Sequence, residues 1–131
     1  MATQPTPEQM QELMAGPADT PVVMVNLLTF KKDATGDDAG VSGMEAYERY
    51  SSEMRKYVES KGGRLIWGGR VDSMVIGETD EDFHVVGLME YPSRAAFVEI
   101  ITSDHVAEIG KHRGEGLESQ WLIATTPQPI G

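Results

Sequence analysis

The stretch "SDHVAEIGKHRGEGLES" places His105, Glu108 and His112 at i, i+3 and i+7, which on an α-helix points all three to one side. Imidazoles flanking a carboxylate suit two kinds of chemistry: holding a metal ion, or moving a proton through a histidine oriented by its acid. The spacing weighs against the metal. Helix positions seven apart stand about 10.5 Å apart along the axis, whereas the histidines of a zinc-binding HExxH pair stand roughly 6 Å apart. Glu108 reaches His105 across three residues and His112 across four, so the spacing predicts a helix edge stabilised by such pairs. His112 and its neighbour Arg113 remain candidate catalytic groups.

Four more positions carry chemistry. Asn26 interrupts the apolar run "PVVMVNLLTF", and a buried amide without a hydrogen bond costs about 1 to 3 kcal/mol, so it has a partner, in the protein or in a ligand. Glu90 lies near the end of "FHVVGLMEY", on one face with His84, Val86 and Leu88; unpaired it is a candidate catalytic acid, and Arg94 or Arg113 is the expected ion-pair partner. Tyr47 lies on an apolar helical stripe, where its hydroxyl can meet a ligand. Trp67 and Trp121 read as core or interface anchors, with Trp67 kept as a ligand contact. The glycines of "GGRLIWGGR" lack the strand-then-helix setting of a dinucleotide fingerprint, and no cofactor is expected.

The elements that must position these residues follow from periodicity and punctuation. Thr6, Pro7 and Gly16 bound a short helix that makes residues 1–20 an N-terminal extension. Residues 21–30 read as a strand, and "KKDATGDDAGVSG" as a solvated loop whose aspartates lack the spacing of a calcium loop. From Ser42 apolar residues recur at helical spacing until Gly62. "RLIWGGRVDSMVIG" reads as a strand bent at Gly68 and Gly69, and residues 83–91 as another. Ser93 caps a helix, Ser103 or Asp104 begins a further helical turn ended by Gly114 and Gly116, and residues 118–126 form the last strand. The order β-α-β-β-α-β predicts an α+β, ferredoxin-like fold, a four-stranded antiparallel sheet with two helices on one face, over residues 21–127, leaving 128–131 as a tail.

The first strand is apolar on both sides: Val22, Met24 and Leu28 share one face with Asn26, and Val23, Val25 and Leu27 take the other. Two helices bury only one face, so a second copy packed sheet against sheet is expected on the other, giving a homodimer.

Composition narrows the classes. The chain has 131 residues, 40% of them hydrophobic, which suffices for one domain with a real core. A net charge of −10 opposes nucleic-acid binding, and the absence of cysteine removes thiolate chemistry and disulfides. No apolar run approaches the ~18 residues of a membrane span, and "MATQPTPEQ" is not a secretory leader, so a cytoplasmic protein is expected.

In order, "PVVMVNLLTFK", the "YERY" helix, "GGRLIWGGRVDSMVIG", "LMEYPSRAAFVEIITS" and "HRGEGLESQWLIATTP" resemble the DUF1330 family of the dimeric α/β-barrel superfamily over residues 21 to 127. The resemblance implies a dimeric barrel with a cleft between sheet and helices. That superfamily uses such clefts for cofactor-free oxygenation, haem degradation and lactone isomerisation. The expectation for this chain is a small-molecule cleft, used either for acid/base or cofactor-independent oxygen chemistry or for binding alone.

Overall fold

The computed structural model describes residues 3–130. Helix α1 (Pro7–Met14) is followed by β1 (Val22–Phe30), a 3-10 turn at Gly36–Asp38, α2 (Gly43–Ser60), β2 (Arg64–Arg70), β3 (Val85–Tyr91), α3 (Arg94–Ile101), α4 (Asp104–Gly116) and β4 (Leu117–Thr125). The four strands form one antiparallel sheet in the order β2-β3-β1-β4, as the split β-α-β pattern requires.

Side-chain oxygens start every helix. Thr6 and Gln9 form a reciprocal capping box at α1, and Ser42, Ser93 and Ser103 accept from the backbone N–H groups of Glu45, Ala96 and Val106. Gly62, at φ +90°, takes the left-handed conformation just after α2. Most of the stripe read from spacing packs: Tyr50, Met54 and Val58 of α2 meet Val22 and Met24 of β1, Phe97 and Ile100 of α3 and Val106 of α4, while Met44 at its start stays exposed. Leu13 ties α1 to this core from outside.

Two local expectations change. The irregularity in β2 lies between Leu65 and Trp67, while Gly68 and Gly69 pair regularly with Gly87 and Val86. Gly69 is small for another reason: a Cβ there would stand 2.4 Å from the Trp67 ring, which lies over it. Second, β2 ends at Arg70 rather than continuing to Gly77, because its partner β3 begins at Val85, opposite Arg70. The intervening Val75 and Ile76 are almost fully exposed.

The sheet face away from the helices is apolar. Trp67, Leu88, Val25 and Ile123 form one continuous row across all four strands, with Leu27 and Trp121 beside it. Trp67, Trp121 and Ile123 are each more than two-fifths exposed, with Phe83 set edge-on against the Trp121 ring.

Candidate functional site

Between the helix-facing side of the sheet and helices α2, α3 and α4 lies a cleft of about 1670 Å³. Its floor is made by missing side chains. Asn26, Gly87 and Gly68 lie side by side across three strands, so next to the asparagine two consecutive positions offer no Cβ. Met24, Leu28, Met54, Met89, Phe97 and Val106 make the walls apolar.

Into this apolar space runs a polar row. Asn26 Nδ2 donates to the carbonyls of Met24 and Gly87, both at 3.3 Å, and its Oδ1 accepts from Gln120 Nε2 at 2.8 Å. Gln120 Oε1 in turn accepts from the Arg113 guanidinium at 2.6 Å. Each amide is thus fixed in orientation by its neighbours, which holds the guanidinium at the inner end of α4. Tyr47 and Tyr50 of α2 and Tyr91 of β3 also face the cleft. Burial pushes all three phenols above their usual 10, with Arg113 pulling Tyr47 and Tyr50 the other way. They therefore stay protonated at neutral pH and can donate a hydrogen bond, not take a proton. Glu12 and Glu48 stand at the exposed rim.

The residues singled out from sequence divide accordingly. Asn26, Tyr47 and Arg113 come together at the cleft. Glu90 and Trp67 do not: both stand on the opposite face of the sheet. Glu90 pairs with Arg64 at 3.1 Å, and neither Arg94 nor Arg113 is its partner. Arg94 is instead buried, donating to the Pro17 carbonyl and the Thr126 hydroxyl. Gln120, Gly87 and Gly68 were missed as site residues. The signal for Gln120 was the alternation Gln120, Leu122, Ala124 on the helix-facing side of β4.

His112 also lies outside the cleft. Its Nδ1 meets Asp38 Oδ2 at 2.6 Å, and the other oxygen of Asp38 accepts from Arg49. His105 stacks on Tyr57, ring centroids 4.6 Å apart, so the trio His105, Glu108 and His112 does not converge. The carboxylate that orients His112 comes from the loop before α2, which is no solvated connection at this point, since Asp38 is buried.

Asp38, His112 and Glu115 bring one ligand atom each within 4.8 Å of one another, a geometry that could hold a metal ion. Their atoms are already engaged. Asp38 serves Arg49 and His112, and the two oxygens of Glu115 accept from the backbone N–H groups of Asp37 and Asp38. The cluster is a hydrogen-bonded clasp between loop and α4.

The hydrogen bond with His112 first, with Arg49 adding to it, holds the Asp38 carboxyl at about 2 against the ordinary 3.8. A depressed folded-state pKa contributes stability that is complete above the unfolded value and is lost as pH falls through the folded one. Unfolding by urea is therefore expected to become easier between pH 3.8 and about 2. Asp38→Asn should lose stability at neutral pH and flatten that acid limb; an unchanged limb would show that the clasp does not hold the loop.

Fold and site together define a class, the ferredoxin-like α+β proteins with a cleft between sheet and helices. The chain belongs to the DUF1330 family, a domain of unknown function whose family model matches residues 38–126. It is similar to a protein of unknown function from Rhodopseudomonas palustris, with 35% identity over 97% of each chain and a TM-score of 0.87. The fold is shared at much lower identity. An Arabidopsis thaliana protein is 15% identical, with a TM-score of 0.62 over 84% of this chain and 98% of its own. A dabb family protein with a ferredoxin-like fold from Mesorhizobium loti is 16% identical, with a TM-score of 0.55 over 83% of this chain and 98% of its own. No curated protein matches the sequence. Among the described residues, no helix is long and apolar enough to cross a membrane.

Proposed function

We propose that the protein is a homodimer, joined through the outer faces of its sheets, and that each helix-side cleft binds one small, mostly apolar organic molecule. The observation that carries the cleft is the Asn26–Gln120–Arg113 row beside a glycine floor. An apolar pocket with a few convergent, orientation-fixed polar groups is the usual form of a small-molecule site. The dimer rests on the exposed apolar row through Val25, which a monomer would leave in water.

Binding is the reading the geometry supports best. A second reading, an enzyme that works by acid/base or cofactor-independent oxygen chemistry, draws on the three protonated phenols and Arg113, which together can stabilise negative charge developing on a ligand oxygen. Such chemistry also needs a proton acceptor. The candidates Glu90 and His112 stand elsewhere, and among the described residues the cleft's carboxylates are at its rim.

Native mass spectrometry of protein purified without added ligand, followed by denaturing spectra of the same sample, tests the proposal. The expected result is a dimer carrying a reproducible small added mass that denaturation releases; a bare monomer would contradict it. Incubating the identified compound with the protein then separates the readings, since binding alone leaves it unconsumed.

Gly87→Leu should fill the floor. The nearest atom to a Cβ at this position is 4.0 Å away, so the added side chain enters open space. Ligand affinity is expected to fall about tenfold or more while the melting temperature moves by only a few degrees, as read by calorimetric titration and thermal unfolding.

A further inference from the structure

Arg113 is one of three arginines lining the cleft, with Arg55 and Arg94; it is half-buried against Tyr47 and Tyr50, and its hydrogen-bond partners are both neutral. One is Gln120 Oε1; the other is the main-chain carbonyl of Thr3, 110 residues away in sequence. Among the described residues no carboxylate stands within ion-pair distance of this guanidinium. A chain with 21 acidic residues and 11 basic ones supplies paired charge easily, and Arg55 at the cleft has it in Glu59, whereas Arg94 is spent on the Pro17 carbonyl and the Thr126 hydroxyl.

The carbonyl comes from a segment suited to leaving. Thr3, Gln4 and Pro5 lie over the cleft mouth ahead of α1, and none of the three is buried. The anchorage of the extension lies further along, where Leu13 packs on the core and Arg94 holds the Pro17 carbonyl. Residues 3–5 can therefore lift without disturbing that anchorage.

We infer that Arg113 is an anion anchor, that the cleft's ligand is an apolar molecule bearing one carboxylate, and that the Thr3 carbonyl holds the anion's place until the ligand displaces it. The inference rests on the cleft being a small-molecule site. A carboxylate oxygen accepts from a guanidinium more strongly than a peptide carbonyl does, because the hydrogen bond is charge-assisted. Gln120, fixed by Asn26, keeps the guanidinium aimed while the strap is away. The rim carboxylates Glu12 and Glu48 repel anions, so a single negative charge passes more easily than two.

The test uses matched neutral and charged probes on the full-length protein: benzoate against benzamide, 2-naphthoate against 2-naphthamide, octanoate against octanamide. Protein-observed NMR gives affinities from the cleft resonances and follows the backbone amides of Thr3 and Gln4. For each pair the carboxylate is expected to bind about tenfold or more tightly than the amide. Carboxylate binding alone should move the Thr3 and Gln4 signals toward the sharp, unstructured range. Arg113→Gln should make carboxylate and amide bind equally, and Arg113→Lys should restore part of the preference.

Equal binding of carboxylate and amide in the wild type would overturn the anchor and leave the cleft reading standing. So would a preference that survives Arg113→Gln. Tight carboxylate binding with unmoved Thr3 and Gln4 signals would overturn the strap. If no probe of either kind perturbs the cleft, the anchor and the cleft reading both fail.

Discussion

Val25→Arg is expected to leave the protein monomeric at concentrations where the wild type is a dimer. Val25 sits on the central strand β1, flanked by Leu88 on β3 and Ile123 on β4, in the middle of the apolar row of the outer sheet face. Packed against a second copy, an arginine there becomes a buried charge with no partner, and by symmetry each dimer would carry two. A cost of about 3 kcal/mol or more raises the dissociation constant at least about a hundredfold. The monomer itself should remain folded, because the helix-side core of Val22, Met24, Met54 and Ile100 lies across the sheet from the substitution. Sedimentation velocity over a concentration series, with circular dichroism to verify folding, reads the outcome. An unchanged sedimentation profile would place the interface elsewhere.

Gly116→Ala should cost the fold more than any other single methyl addition in α4. A Cβ at this position would stand 2.3 Å from the carbonyl oxygen of Gly43 and 2.8 Å from the Tyr47 nitrogen, both main-chain atoms that cannot swing aside. Gly43 faces the same restriction from the other side, with the Lys31 carbonyl at 2.0 Å and that of Gly116 at 2.7 Å from its ideal Cβ. The end of α4, the start of α2 and the end of β1 therefore touch backbone to backbone, and Lys31 N–H donates to the Gly116 carbonyl at 2.8 Å. Prying these elements apart should lower stability by about 3 kcal/mol and the melting temperature by about 10 °C. Gly114→Ala supplies the control. Nothing lies within 4 Å of a Cβ there, so the alanine should stabilise α4 by about 0.5 to 1 kcal/mol. Thermal unfolding of the two variants should therefore shift in opposite directions; a shared direction would mean that the helix termini are not in such close contact.

The glycines of "HRGEGLES" illustrate what a sequence does and does not reveal. Read along the chain, Gly114 and Gly116 are both stop signals, yet Gly114 lies inside the helix and Gly116 is required by a neighbour 73 residues away, which no local pattern encodes. Strand and helix order was legible because burial on one side imposes periods of two and 3.6 wherever an element packs. Asn26 was legible as a polar interruption of an apolar strand, and its hydrogen bonds to Met24, Gly87 and Gln120 are the partners its burial required.

Pairings between elements were not legible. His112 and Glu108 are spaced for contact, but the imidazole finds Asp38 across the fold, because a buried carboxylate needs a donor more than an exposed glutamate does. Glu90 was singled out as a candidate acid, with Arg94 or Arg113 as the partner if it was paired, and it is paired with neither. The register of β2 against β3 sets Arg64 directly opposite it, on the face away from the cleft. Register also explains the missed floor. Gly68 looked like a kink within its own strand, and only alignment with Gly87 and Asn26 makes it part of a cavity.

The most direct measurement is a fragment screen by protein-observed NMR, in which uniformly 15N-labelled protein is titrated with several hundred small organic molecules, charged and neutral. If the cleft is a small-molecule site, the compounds that bind will shift the side-chain amides of Asn26 and Gln120 and the backbone amide of Gly87 together and saturably. Those shifts should be lost in Gly87→Leu. Binders that perturb only the outer sheet face, or a screen that leaves these three resonances unmoved throughout, would contradict a binding role for the cleft.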